Sequence, residues 1–96
     1  MSVFSSAYEA VWNGHTIRVT SKSKLLSVVL ELFIDGKKQS DKETKLSDLR
    51  TLSFGGLIIE KDGSEAVVVV QVASVLGNTW EPKLFINNTG VPIFQV

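Results

Sequence analysis

His15 is the only histidine of the chain, and it lies in the segment VWNGHTIRV at positions 11–19. A histidine does acid–base chemistry or binds a metal only when a carboxylate, a nucleophile or a second ligand lies close to it. No carboxylate flanks His15 in the sequence, and a chain without cysteine has no thiolate to complete a metal site. We therefore expect no catalytic residue, no metal and no cofactor. We interpret His15 as a strand residue that pairs with Trp12 across a tight turn.

Three carboxylates, Glu60, Asp62 and Glu65, form the other cluster that could carry chemistry. Two acids that face each other across a turn raise one another's pKa and could do acid–base work. No aromatic residue adjoins this cluster, and its spacing differs from that of a calcium-binding EF-hand loop. The sequence also contains neither a serine nucleophile elbow nor a glycine-rich phosphate loop. These patterns favour a solvated turn in a protein that is not an enzyme.

The charges balance, with ten basic and ten acidic residues. Nucleic-acid binding normally requires a basic excess, because phosphate contacts supply most of the non-specific affinity. The longest wholly apolar run, AVVVV at 66–70, is far shorter than the roughly 20 residues of a membrane-spanning helix. The first ten residues lack the basic and apolar parts of a signal peptide, and the absence of cysteine favours a reducing compartment. We expect a soluble, cytoplasmic protein with neither a nucleic-acid nor a membrane partner.

The periodicity predicts one all-β domain spanning residues 1–96. Asx-Gly pairs at 13–14, 35–36 and 62–63 lie between runs of aliphatic residues, and such pairs favour type I′ hairpin turns. We predict a single antiparallel β-sandwich or small barrel of seven to eight strands joined by tight hairpins. The expected strands cover residues 7–12, 15–22, 27–34, 37–40, 51–60, 65–73, 80–86 and 91–95. One helical turn is expected near 46–49, and a longer loop at 87–90.

Two hairpin registers can be predicted from the turns. A two-residue loop at 13–14 places Tyr8, Ala10 and Trp12 on the same face as His15, Ile17 and Val19, which agrees with their apolar character. The same reasoning at 62–63 predicts that Ile59 faces Ala66, Leu57 faces Val68, and Ile58 faces Val67. Both faces of this second hairpin are then apolar, so we expect it to be covered on both sides.

The apolar residues that remain suggest two ways in which the domain could bind a partner. Another protein or a second copy in a two-fold dimer could contact an apolar sheet face or the strand edge at 91–96, which is the leading hypothesis. Alternatively, a small molecule could bind in a pocket between the sheets. The residues proposed to line that pocket are Trp12, His15, Tyr8 and Trp80. The side chains predicted to lie opposite the core stripes are Phe33, Phe85, Phe94, Val29 and Val11.

The order of several motifs resembles one β-domain of the Fas apoptotic inhibitory molecule family. A tryptophan and a short turn precede GHTIRV, and LFIDGKK, LSFGG and KLFINN follow in that order. The resemblance implies an all-β, non-enzymatic domain that acts through protein contacts in cell-survival signalling, and it transfers no functional residue. Proteins of that family typically carry two such domains. The matching residues are Trp12, Gly14, His15, Ile17, Ile34, Asp35, Gly36, Lys37, Leu84, Ile86 and Asn87.

Overall fold

The chain folds into nine β-strands, as seen in a computed structural model that describes residues 5–24, 27–45, 51–73 and 82–96. The described ranges contain no helix, which confirms the predicted all-β class. The strands are β1 (Ser5–Trp12), β2 (His15–Ser23), β3 (Ser27–Ile34), β4 (Lys37–Lys45), β5 (Thr51–Ile59), β6 (Glu65–Ala73), β7 (Pro82–Ile86), β8 (Thr89–Val91) and β9 (Phe94–Gln95).

The strands form two antiparallel sheets, so the predicted sandwich is confirmed. The first sheet has the order β4-β3-β2-β1-β9, and the second has the order β5-β6-β7-β8. The predicted strand 91–95 is instead two strands, because Val91 pairs with β7 whereas Phe94 pairs with β1. Pro92 lies between them, and a proline cannot donate a backbone hydrogen bond to continue a ladder. This division gives nine strands where seven to eight were predicted.

The core lies between the sheets and is built from alternate positions of the strands. In β3 every second residue is buried, as the sequence pattern predicts for a strand with one face against a core. Each fully buried Val, Leu or Ile contributes roughly 1.5–3 kcal/mol to folding. The buried apolar residues are Ala10, Ile17, Val19, Val28, Leu30, Leu32 and Ile34 from the first sheet and Ile58, Ala66, Val68, Val70, Val72, Leu84 and Ile86 from the second.

The β1–β2 hairpin has the register predicted from its turn. Trp12 pairs with His15 and Ala10 pairs with Ile17. Asn13 and Gly14 both have positive φ, 50° and 80°, as a type I′ turn requires. The Asp-Gly turn at 35–36 has the same conformation, with φ values of 51° and 82°.

The predicted two-residue turn at 62–63 is wrong, because the loop has three residues. Within the loop only Gly63 has a positive φ, and its amide donates a hydrogen bond to the carbonyl of Glu60 at 2.9 Å. The Asp62 carboxylate accepts hydrogen bonds from the amide and hydroxyl of Ser64 at 2.9 and 2.6 Å, which lowers the Asp62 pKa. Asp62 itself lacks the positive φ that both central residues of a type I′ turn require.

The longer turn shifts the β5–β6 register by one residue from the prediction. Leu57 pairs with Val67, Ile58 pairs with Ala66, and Ile59 pairs with Glu65. Since side chains alternate between faces, Ile58 and Ala66 enter the core, whereas Leu57 and Val67 point outward together. The expectation that both faces of this hairpin are covered is therefore wrong.

Four further predictions differ from the structure or lie outside it. The loop at 87–90 is a two-residue turn, because Asn87 and Asn88 both adopt positive φ, at 52° and 66°, a conformation that asparagine tolerates. The edge strand β4 extends to Lys45, beyond its predicted end at residue 40. The helical turn predicted near 46–49 lies outside the described residues, as do residues 80 and 81 of the predicted seventh strand.

Across the described ranges, no helix is long and apolar enough to cross a membrane.

Gly55 lies in β5 opposite Val69, and the two sheet strands approach closely there. A Cβ added at Gly55 would overlap the carbonyl oxygen of Val68, which is backbone and cannot rotate away. We expect Gly55→Ala to lower the free energy of unfolding in urea by about 1–3 kcal/mol through overpacking. Gly90→Ala is the matched control, because its Cβ would meet the Phe85 ring at an ordinary 3.9 Å. Equal losses in the two variants would contradict the assigned approach of the strands.

Candidate functional site

Three hairpin turns meet at one end of the sandwich and bring four polar side chains together. His15 begins β2 directly after the first turn, and Asn13 lies within that turn. Asp35 is the first turn residue after β3, and Glu60 follows the end of β5. We call these four residues the turn cluster. Glu60 belongs to the second sheet and the other three belong to the first, so the turn cluster spans the two sheets.

His15 is bonded to a carboxylate at each ring nitrogen. Its Nδ1 lies 2.6 Å from Asp35 Oδ2, and its Nε2 lies 2.9 Å from Glu60 Oε1. The same Glu60 oxygen accepts a hydrogen bond from Asn13 Nδ2 at 3.2 Å. The second oxygen of Asp35 accepts a hydrogen bond from the Thr16 amide at 2.9 Å. Each carboxylate is thus held by two donors.

This geometry favours a protonated imidazole when both carboxylates are ionised. Ionised carboxylates only accept hydrogen bonds, so both ring nitrogens of His15 must donate, and only the imidazolium form can do so. The hydrogen bond to Asp35, followed by that to Glu60, raises the pKa of His15 above its ordinary value of 6.5. Reciprocally, the bond from His15 and then the Thr16 amide lower the pKa of Asp35.

The turn cluster can hold a proton, but in this arrangement it cannot accept one. General-base catalysis needs a ring nitrogen with a free lone pair, and both nitrogens of His15 are engaged as donors. The two carboxylates contact different edges of the ring, and the described residues contain no group of three acids, histidines or cysteines that could hold a metal. The chemistry of the cluster is therefore electrostatic attachment of one sheet to the other.

Three of the four residues predicted to bind a ligand, Tyr8, Trp12 and His15, lie within the described residues. Trp12 is half-buried and packs against the core beside its partner His15. Tyr8 lies farther along β1, where it lines a gap of about 10 Å³. A gap of that size holds at most about one water molecule. Trp80 lies outside the described residues.

The sequence analysis missed both carboxylate partners of His15. Asp35 and Glu60 are separated from His15 by 20 and 45 positions in the chain, so no local pattern connects them. Asp35 carried a usable signal, because hairpins at 13–14 and 35–36 on adjacent strands place their turns side by side. Glu60 carried no such signal, because its partner depends on the length of the turn that follows it. A two-residue turn would have placed Glu60 opposite Glu65 instead.

The outer face of the first sheet has a charged cleft of about 380 Å³ around Glu31. The Glu31 side chain is only 14% exposed and forms ion pairs with Lys22 and Lys38 at 3.5 and 3.4 Å. Asp41, at 2.6 Å, is the main cause of the raised pKa of Lys38, with Glu31 contributing less. The side chains and backbone of the following residues line the cleft: Glu9, Thr16, Arg18, Thr20, Lys22, Glu31, Phe33 and Gly36.

The outer face of the second sheet is apolar. Leu57, Ile59 and Val67 are 44%, 68% and 50% exposed, and they adjoin the half-buried Val69 and Phe85. We call these five residues the apolar face. Strand pairing makes them contiguous, because Leu57 is opposite Val67 and Val69 is opposite Phe85.

The apolar face has two rows of residues that differ in exposure. The more exposed row holds Leu57 and Val67. In the neighbouring row Val69 and Phe85 are half-buried and are flanked by glycines, Gly55 beside Val69 and Gly90 beside Phe85.

No protein-family model, curated protein or solved structure matches this chain. The resemblance to the Fas apoptotic inhibitory molecule family therefore stays a prediction.

We expect NMR titration of the single histidine to give a His15 pKa above 6.5, because both carboxylates stabilise the imidazolium. A raised folded-state pKa contributes stability that is fully present below the unfolded pKa and is lost as pH rises through the folded value. The lowered pKa of Asp35 contributes stability above its ordinary 3.8, which is lost as pH falls through the folded value. The cluster should thus stabilise the fold most between the ordinary pKa values of the two groups, 3.8 for Asp35 and 6.5 for His15.

His15→Gln is the control for this pH dependence. Glutamine keeps a hydrogen-bond donor but has no charge to lose, so the fall in stability on the alkaline side should disappear. A wild-type His15 pKa at or below 6.5 would contradict the doubly bonded imidazolium.

Proposed function

We propose that this protein is a small, soluble, cytoplasmic, non-enzymatic binding module that acts by contact with another protein. The observation that carries the proposal is the apolar face, where Leu57, Ile59 and Val67 remain exposed beside Val69 and Phe85. Contiguous exposed apolar patches are uncommon on monomeric proteins and mark interaction surfaces. The absence of cysteine supports a reducing compartment.

The residues around the apolar face support the same proposal. Exposed Glu65 and Lys83 and half-buried Gln71 lie at its ends, so an apolar centre is bordered by polar side chains. Protein interfaces have this distribution, with an apolar centre that excludes water and a polar rim. The face has an aromatic member, Phe85, and aromatic residues are enriched in interfaces.

The chemistry of the chain favours protein contact over the other classes of function. The engaged ring nitrogens of His15 support a non-enzymatic role, because the sequence has no other histidine to act as a base. The zero net charge argues against nucleic acid, and the one lysine at the end of the apolar face, Lys83, is too little basic charge to favour an anionic membrane surface.

Site-specific photo-crosslinking tests the proposal without a known partner. We expect a photoreactive amino acid at Val67 to give a crosslinked product of defined mass in cells. The same amino acid at Val11, which is 74% exposed on the first sheet, is the control and should give no such product. Equal products from both positions, or none from Val67, would contradict the apolar face as the contact surface.

Small-molecule binding is a second candidate function, and the cleft around Glu31 favours it. Its volume of about 380 Å³ lies in the range of small-molecule sites, roughly 300–1,000 Å³. Phe33 offers an aromatic surface beside the charged groups of Arg18 and Glu31. A small molecule would bind here on the outer face of the first sheet rather than between the sheets.

An NMR screen of aromatic carboxylate and amine fragments tests the second candidate. We expect binding fragments to shift the amide resonances of β2 and β3, and Phe33→Ala to weaken their binding at least about tenfold, which corresponds to about 1.4 kcal/mol. Val67→Lys, on the other sheet, should leave fragment affinity unchanged. Shifts spread over both sheets would count against a site in the cleft.

A further inference from the structure

We propose that the partner of the apolar face is a second copy of this chain, packed face to face in a two-fold symmetric dimer. This inference rests on the proposed function, which assigns the apolar face as a contact surface, and it names the occupant. Two charged residues, Glu65 and Lys83, lie at opposite ends of the apolar face, and two apolar rows lie between them.

Glu65 and Lys83 lie at opposite ends of the outer surface of the second sheet. Glu65 pairs with Ile59 at the turn end, and Lys83 pairs with Gln71 at the other end, one strand away. Both side chains are exposed, and within the described ranges neither forms an ion pair. They are the only charged residues at the described outward positions of β5, β6 and β7, namely Ser53, Gly55, Leu57, Ile59, Glu65, Val67, Val69, Gln71, Lys83 and Phe85.

A two-fold axis that runs across the strands, parallel to the face, exchanges the two ends. Glu65 of one copy then meets Lys83 of the second copy, and symmetry repeats the contact with the roles reversed. One two-fold rotation thus places each unpaired charge next to a residue of the opposite charge. One surface that is complementary to itself in this way is what a two-fold interface requires.

The same axis sets a packing angle that β-sheets ordinarily adopt. Glu65 and Lys83 are separated by one strand, about 4.8 Å, across the sheet and by six residue steps, about 20 Å, along the strands. For Glu65 of each copy to lie over Lys83 of the other copy, the strands of the two copies must cross at roughly 25–30°. Sheets that pack face to face cross at about 30°.

The apolar rows also match under this operation. The axis passes between the row of Leu57 and Val67 and the row of Val69 and Phe85, so each row faces the other row of the second copy. The exposed side chains of Leu57 and Val67 therefore lie over the row of Val69 and Phe85 of the second copy. Contact between these rows removes apolar area from water on both copies.

Light scattering coupled to size-exclusion chromatography of the full chain tests the dimer. We expect a dimer for the wild-type chain and a monomer for Val67→Lys at the same concentration, because a lysine at the centre would be buried without a partner. Val11→Lys, an equivalent substitution on the first sheet, should leave the dimer intact. A monomeric wild-type chain at all concentrations, or a dimer that survives Val67→Lys, would overturn the inference.

A charge exchange tests the two-fold arrangement itself. Glu65→Lys and Lys83→Glu should each raise the Kd of the dimer several-fold, since each places like charges opposite one another. The double variant restores both pairs and should return the Kd toward the wild-type value. A double variant whose loss of dimerisation free energy equals the sum of the two single losses would overturn the arrangement.

The two proposals fail separately. A monomeric chain that still crosslinks through position 67 to a different protein overturns the second copy as occupant, while the apolar face remains a contact surface. Loss of crosslinking at position 67 removes the contact surface and, with it, the dimer.

Discussion

The doubly bonded imidazolium of His15 is the constraint on which the arrangement of the turns depends. Its two carboxylate partners come from different sheets, so the three hairpins must end at matching heights for both bonds to form. Apolar packing between sheets is non-directional and tolerates sliding, whereas two hydrogen bonds of 2.6 and 2.9 Å to opposite edges of one ring do not. Asn13 and the Thr16 amide hold the carboxylates in turn, which restricts the rotation of each acid.

Turn length has two consequences in the second sheet. A three-residue turn at 61–63 turns Glu60 toward His15, and the same register turns Leu57 and Val67 outward. With a two-residue turn, the alternation of side chains would reverse along one strand of this hairpin. The polar attachment between the sheets and the apolar face therefore both depend on the length of this turn.

The two outer surfaces of the sandwich differ in their chemistry. On the first sheet, Arg18 pairs with Glu9 at 2.7 Å, and Lys22 and Lys38 pair with Glu31. Val11 and Phe94 are exposed on the same sheet, beside these ion pairs. On the described part of the second sheet, Glu65 and Lys83 stand apart at the ends of an apolar centre. Paired charges on a surface are already satisfied and contribute little to association, whereas exposed apolar area and unpaired charges gain from a partner. This difference supports the proposed protein contact through the second sheet.

The sequence alone determined the fold class, the single domain and the β1–β2 register, because period-2 alternation and Asx-Gly turns are local signals that act over a few residues. It also placed Val28, Leu30, Leu32 and Ile34 in the core. Only the tertiary structure decided that Asp35 and Glu60 meet His15, since these contacts join positions 20 and 45 residues apart. It also decided which apolar residues stay exposed, because the loop at 61–63 is one residue longer than the two-residue turn that an Asp-Gly pair favours.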